Sequence, residues 1–280
     1  MKRIITVLLL LSFLLLLTSC TDKSTASISS EATNQISTED TTPTESNVIV
    51  ENISTMEPST EAMIEAVTES TEMLHSTLYI PDVDVEDVIH YFNEVCLDAE
   101  FVNSGDPSRL QKWLIPISYA IHGNYTDTDM EVFSQFVDWL NQVEGFPGIS
   151  PVQDGQLANL NIHFCDEKEM RSIMGDNFSN MDGAVTFWYE NDAIFNAIIC
   201  YRTDVLQETR NSVILEEIYN GLGPIQDTDL RDDSIIYSGF STPQSLTPMD
   251  ELILRLLYQP AMECGMNAQQ CEDVIRSLYY

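Results

Sequence analysis

Over residues 78–280, the spacing of apolar side chains alternates between two periods. In several stretches apolar residues recur every three or four positions, so they fall on one side of a helix. The predicted helices lie at 85–99, 132–143, 166–174, 210–221, 249–257 and 267–278. Gly145, Gly175 and Gly221 end three of these helices, and Thr247 is a suitable N-cap for the fifth.

Shorter apolar runs between these helices predict strands. Residues 160–164 alternate apolar and polar side chains, the pattern of a half-buried strand. Residues 113–121 are an apolar run in which Pro116 suits a sheet edge or an irregular position. The apolar and aromatic runs at 184–189 and 193–201 flank a short polar segment, which is typical of a hairpin. We therefore predict a single α+β domain in which helices pack around a small mixed sheet.

The start of the chain has a different pattern, that of a secretory signal. A basic segment, 1–3, precedes an apolar run, 4–17, that is shorter than the roughly 20 residues of a transmembrane helix. The following Leu-Thr-Ser-Cys ending resembles the bacterial lipobox, which implies cleavage before Cys20 and a diacylglycerol on its sulfur. We therefore expect a lipoprotein signal peptide over 1–19. The lipidated Cys20 would anchor the chain in the lipid bilayer, on the extracytoplasmic face of the cell membrane.

Residues 20–77 are rich in Ser, Thr and Glu and show no stable period. Such a composition buries too little apolar surface to offset chain entropy, so we predict a disordered linker after the lipidated cysteine. A flexible tether of about 55 residues spans on the order of 40 Å, root mean square. A functional stalk and an inert spacer share this composition, so we infer only a linker.

The chain is strongly acidic, with 12 basic and 45 acidic residues and a net charge of −33. Loss of Lys2 and Arg3 with the signal peptide would remove two positive charges and leave −35. A field of this sign repels nucleic acid and anionic lipid surfaces, so we expect no nucleic-acid partner. Solubility outside the cell is the simplest role for the charge, and attraction of cations or basic ligands is a sharper one.

Once Cys20 is assigned to lipid, an odd number of cysteines remains, which allows at most two bridges within one chain. These are Cys96, Cys165, Cys200, Cys264 and Cys271. Cys165 ends one predicted strand and Cys200 lies in another, so the two could be cross-strand neighbours. The pairing stays open because connectivity does not follow from spacing. The absence of a C-x-x-C pair in the sequence argues against a zinc-thiolate site.

The stretch from Arg210 to Ser238 predicts an amphipathic helix ending at a glycine, then a polar loop and a short apolar turn. Several short motifs accompany it in order along the domain. They are Lys112-Trp113, Pro116-Ile117, Asn159-Leu160, Glu216-Glu217, Leu222-Gly223, Asp233-Ser234-Ile235, Leu246-Thr247 with Asp250, Leu257-Tyr258 and Gly265-Met266. With these motifs the domain resembles bacterial lipoproteins of the domain-of-unknown-function family 2927, and this resemblance implies no established activity.

The same layout resembles a metzincin-type zinc protease, and the matrixins in particular. Their pattern H-E-x-x-H-x-x-G-x-x-H places the catalytic glutamate at Glu217 and the turn glycine at Gly223. The three zinc-binding histidines of the pattern fall on Glu216, Asn220 and Gln226. The turn and closing helix of that family correspond to Ser234-Ile235-Ile236, Leu246-Thr247-x-x-Asp250 and Leu257-Tyr258.

The replaced histidines decide the chemistry to expect. A zinc hydrolase needs three nitrogen or carboxylate ligands and one open position, whereas the amide oxygens of Asn220 and Gln226 suit hard cations. Without a metal, Glu217 has no bound water to activate. We therefore expect a degenerate zincin-like scaffold without zinc or another cofactor. Two alternatives stay open: a Ca²⁺ site at Glu216, Glu217, Gln226 and Asp227, and metal-free catalysis by the Glu216-Glu217 carboxylate pair.

The other candidate ligands are isolated in sequence, and each is better explained as a surface or satisfied polar residue. They are His75, His90, His122 and His163. The sequence contains no G-x-S-x-G nucleophile elbow and no glycine-rich phosphate loop.

We therefore expect a non-catalytic module that binds a peptide, a protein or a cell-wall component. The competing hypothesis is a peptidase or other hydrolase that uses Glu217 with a non-standard metal site. A transporter-linked solute-binding protein is disfavoured, because such proteins usually need two lobes.

Overall fold

The structure is a computed structural model that describes residues 78–97, 109–178, 180–239 and 243–280. The expected signal peptide, the lipidated Cys20, the linker and His75 lie outside the described residues. Within these described ranges, no helix is both long enough and apolar enough to cross a membrane.

The helices are α1 (Val85–Leu97), α2 (Asp127–Leu140), α3 (Glu167–Met174), α4 (Gln207–Asn220), α5 (Pro248–Leu257) and α6 (Ala268–Leu278). Four of them begin at a capping box, in which the N-cap side chain and the third helical residue satisfy each other's backbone N–H groups. These N-caps are Thr126, Asp166, Thr247 and Asn267. The prediction of Thr247 as an N-cap is confirmed.

The strands are β1 (Lys112–Trp113), β2 (Ile117–Gly123), β3 (Ile149–Pro151), β4 (Leu160–Cys165), β5 (Gly183–Glu190) and β6 (Ala193–Arg202). They form one sheet in which β3, β2, β4 and β6 are parallel neighbours in that order. β1 pairs in parallel with the start of β6, and β5 pairs antiparallel along β6. Helices packed on this mixed, mostly parallel sheet confirm the predicted α+β fold.

The main core lies on one face of the sheet, under α2 and α4. Ile121, Ile162 and Ile199 occupy partner positions on β2, β4 and β6 and point to this face, and α4 packs on β5, β6 and α2. Tyr119 on β2 meets Phe133 of α2 edge to face, with ring centroids 5.0 Å apart. The opposite face is covered at one end by the short helix α3, which encloses a second, smaller apolar cluster.

Three local details differ from the predicted elements or refine them. The run 113–121 is interrupted around Pro116 and forms two strands, β1 and β2. Helix α2 ends at Leu140 rather than at residue 143, because Asn141 exchanges two hydrogen bonds with the backbone of Ile149 at 2.9 and 3.0 Å. Those bonds also fix β3, a strand of three residues that the apolar pattern did not predict. The hairpin of β5 and β6 is confirmed, and Asn191 turns it with a φ of 50°.

Candidate functional site

Helix α4, which contains the protease-like motif, is held at its start by a buried ion pair. Arg210 Nε donates to Asp129 Oδ1 at 2.7 Å, and the two side chains are 7% and 0% exposed. Gln207 Nε2 donates to the same oxygen at 2.6 Å. Burial alone would raise the pKa of Asp129, but the hydrogen bonds from Arg210, Thr126 and Gln207 outweigh burial and hold that pKa below its usual range. The pair therefore joins the first turns of α2 and α4.

The end of α4 is held by two aromatic side chains, Trp113 and Tyr258, which belong to the motifs listed for the family resemblance. Trp113 Nε1 donates to the Gly221 carbonyl at 2.9 Å. The Tyr258 hydroxyl donates to the Leu222 carbonyl at 2.8 Å. Both carbonyls follow the last helical residue and have no partner within the helix, so these bonds satisfy groups that a helix end leaves open.

Two further motif residues complete this region. Lys112 Nζ donates to the Leu257 carbonyl at the end of α5, at 2.9 Å, and the lysine is 5% exposed. Gly223 has a φ of +136°, and a Cβ there would lie 2.5 Å from the Gln111 carbonyl oxygen. The motif glycine is therefore required by backbone shape and by the close approach of a neighbouring chain segment.

The turn that corresponds to S-I-M in the proteases is packed into the core. Ser234 Oγ donates to Asp250 Oδ1 at 2.7 Å and accepts from the Tyr91 hydroxyl at 2.8 Å. The Ile236 N–H donates to Ser234 Oγ at 3.1 Å, and the Ile236 side chain is fully buried. The Tyr219 hydroxyl of α4 donates to the Asp250 carbonyl at 2.9 Å. Asp250, which also belongs to the α5 capping box, thus ties this turn to α1, α4 and α5.

Glu217 lies on the buried side of α4, as its spacing predicted, and only 1% of it is exposed. Its Oε2 atom is buried without a hydrogen-bond partner. The side chain packs beneath the start of β5, where a Cβ added to Gly183 would lie 2.8 Å from Glu217 Cγ. Burial, and secondarily the negative charge of Asp227, raise the pKa of Glu217 well above its ordinary value. The environment of Glu217 therefore disfavours the charged form of its carboxyl.

Asn220 accompanies Glu217 on the same side of the helix. It is 3% exposed, its Oδ1 atom is buried without a hydrogen-bond partner, and its Nδ2 atom donates to Asp227 Oδ1 at 3.4 Å. The structure thus brings Glu217, Asn220 and Asp227 together. Two of the three side chains retain an oxygen that no protein group satisfies.

The other two motif positions have different surroundings. Glu216 is half-buried, so its side chain points only partly toward the core. Gln226 is also half-buried, and its backbone N–H donates to the Val95 carbonyl of α1 at 3.2 Å. Among the described residues, no three His, Cys, Asp or Glu side chains are placed to share a metal ion, so Glu216, Glu217 and Asp227 do not form such a group.

These positions do not fit the zinc that the protease resemblance implies. Asn220 and Gln226 offer amides instead of imidazoles, and Glu217 is a buried acid whose surroundings raise its pKa and disfavour the charged form.

Some residues that shape the site were not predicted. Gly183 limits the space above Glu217, and Asp129 anchors the start of α4. Both act across large separations in sequence, so local periodicity contains no signal for them. Asp129 had one partial signal, since it stands third after Thr126 in a capping-box pattern.

Comparison with known proteins identifies the domain. The model of the family described as "Protein of unknown function (DUF2927)" matches residues 85–277, which is more than half of the chain. No curated protein and no solved structure matches the chain significantly.

Proposed function

The chain belongs to the DUF2927 family of proteins of unknown function, so its function has to be inferred from the geometry of the site. We propose that it is a non-catalytic binding module. The module uses a zincin-like scaffold whose metal site has been lost. A lipid on Cys20 holds it at the extracytoplasmic face of the cell membrane.

The surroundings of Glu217 are the main support for a non-catalytic role. A general base has to be ionised and within reach of a water or a substrate proton. Glu217 is 1% exposed and packed beneath Gly183, and burial raises its pKa. A carboxyl with a raised pKa is a common feature of active sites, and it favours the competing hydrolase hypothesis in which Glu217 acts as an acid. To act as an acid, Glu217 would have to contact a substrate, and the packing around its side chain opposes such contact.

The order of elements supports the zincin-like scaffold. The helix α4, the turn glycine Gly223, the buried turn at Ser234 and the closing helix α5 follow one another as in the protease pattern. In this chain the interactions at each motif are structural: caps, backbone fit and core packing. The motif residues that remain are thus those that hold the scaffold together.

The ligand class we favour is an extended peptide that adds as a strand to β5. This strand has eight residues and pairs on one side with β6, and the described residues provide no strand on its other side. A free strand edge offers backbone donors and acceptors to an extended chain, and neighbouring side chains supply selectivity. Trp188 is half-buried on this strand and provides an aromatic contact of the kind that dominates binding energies.

Binding and hydrolysis can be separated with a pool of synthetic extended peptides. We expect the protein to retain a subset of peptides intact, with slowed amide exchange over 183–190. Replacing Trp188 with Ala should weaken their binding about tenfold, or roughly 1.4 kcal/mol. Phe195→Ala is the matched control, because Phe195 is an aromatic residue of β6 that is 46% exposed. Cleavage of the peptides that Glu217→Gln abolishes would instead establish the hydrolase.

The anchoring has its own test. Cys20→Ser removes the sulfur that accepts the lipid. The variant should therefore carry no acyl label and should no longer be found in the membrane fraction. Retention of label by this variant would show that Cys20 is not the lipidation site.

A further inference from the structure

Two cysteine thiols meet on the sheet face opposite the main core. Cys165, the last residue of β4, pairs with Arg202 of β6, and Cys200 of β6 pairs with His163 of β4. The two cysteines are thus one diagonal step apart on adjacent strands and point to the same face. Both belong to the small apolar cluster under α3.

Cys165 lines a cavity, and Cys200 is not among the residues that line it. A cavity of about 290 Å³ at the carboxyl ends of β2 and β4 is lined by Cys165, together with His122, His163 and Glu169. The two imidazoles stack with ring centroids 4.6 Å apart and form one wall. Cys200 is fully buried, and Cys165 is 4% exposed. A small solute in this cavity would therefore meet Cys165 before Cys200.

The charges at the site distinguish the two sulfurs in the same way. The hydrogen bond from Cys200 lowers the pKa of Cys165, against the opposing effects of burial, Glu169 and Asp166, and Arg202 adds a smaller lowering. The same hydrogen bond and burial raise the pKa of Cys200. Cys165 is thus the thiol that ionises more readily, and the thiolate is the reactive form.

We propose that Cys165 and Cys200 are a reactive dithiol that a small-molecule disulfide oxidises to an intramolecular disulfide bond, with Cys165 attacking and Cys200 resolving. The Cys165 thiolate attacks one sulfur of the reagent, its S–S bond breaks, and the first thiolate leaves. The Cys200 sulfur then attacks Cys165, the mixed disulfide breaks, and the second thiolate leaves. The protein loses two protons and two electrons, and the reagent becomes two thiols.

The other described cysteines lack this combination of features. Cys96 and Cys271 are fully buried on α1 and α6, and burial raises the pKa of each. Cys264 is half-exposed, and burial raises its pKa as well. Cys264 is therefore the matched control, an accessible thiol on which we expect at most a mixed disulfide.

The test treats the reduced, full-length protein with glutathione disulfide, then alkylates remaining thiols and maps each cysteine by mass spectrometry. We expect a Cys165–Cys200 cross-linked peptide, with the mass lower by about 2 Da, the two hydrogens that oxidation removes. Cys200→Ser should accumulate a glutathione adduct on Cys165, Cys165→Ser should leave Cys200 reduced, and Cys264→Ser should form the cross-link as the unaltered protein does.

Two results would overturn the proposal. The first is that the unaltered protein carries glutathione on Cys165 while Cys200 can still be alkylated. Cys200 would then not attack the mixed disulfide. The other is oxidation of Cys200 at an undiminished rate in Cys165→Ser. The mapping of the unaltered protein decides the matter even if a variant fails to fold.

Discussion

Replacement of Glu217 by Gln tests the buried acid directly. The substitution keeps the shape of the side chain and removes its titration. In the folded protein burial and the charge of Asp227 raise the pKa of Glu217 well above the value of about 4.3 expected in the unfolded chain. Above that pH the unfolded chain loses the proton while the folded protein keeps it. Folding then takes up a proton, and stability falls as the pH rises.

The size of the effect follows from linkage. One proton taken up on folding costs about 1.4 kcal/mol for each pH unit above the unfolded pKa, as long as the pH stays below the folded one. From about pH 5 upward the variant should therefore gain stability relative to the unaltered protein, by up to about 3 kcal/mol at pH 7. Asp129, whose pKa is lowered, does not change the stability in this pH range, because its contribution to stability is lost only as the pH falls below about 4.

The assay is urea unfolding of both proteins at several pH values across this window. Glu208→Gln is the matched control, since Glu208 is an exposed residue in the first turn of the same helix. The control should follow the unaltered protein at every pH. Parallel stability curves for the unaltered protein and Glu217→Gln would refute the raised pKa of the buried Glu217.

Three further substitutions test the packing around the site, each by urea unfolding at neutral pH. Asp129→Ala leaves the Arg210 guanidinium buried without its carboxylate and should cost about 3–5 kcal/mol; a loss below 1 kcal/mol would contradict this account of the pair. Gly183→Ala places a methyl group 2.3 Å from Val213 Cγ1 and should cost about 1–3 kcal/mol by overpacking, whereas an unchanged midpoint would show that α4 is free to move. Lys112→Met removes the donor to the Leu257 carbonyl and should cost about 1–3 kcal/mol; equal stability would mean that another group caps α5.

The parts of the fold that depend on local chemistry were predictable from the sequence. Thr247 begins α5 because its hydroxyl caps the helix, and the short polar segment before residue 193 turns a hairpin because Asn191 tolerates a positive φ. The inward direction of Glu217 followed from helical spacing alone. Such features need only neighbours within a few positions.

Features that depend on distant segments were not predictable in this way. The depth of Glu217 is set by Gly183, which lies on another strand, and the end of α2 is set by a bond between Asn141 and Ile149. The sequence indicated that Cys165 and Cys200 could be neighbours across strands. Their diagonal register and the cavity that Cys165 lines depend on how the strands pair in the sheet, which the sequence does not show.

Measuring the metal content of the purified protein tests the claim that Glu216, Asn220 and Gln226 have replaced a zinc site and that the scaffold serves binding. Elemental analysis of protein purified without chelators should find far less than one zinc ion per chain, and a chelator should leave the unfolding midpoint unchanged. About one zinc ion per chain, lost in Asn220→Ala, would contradict the claim and restore the hydrolase hypothesis.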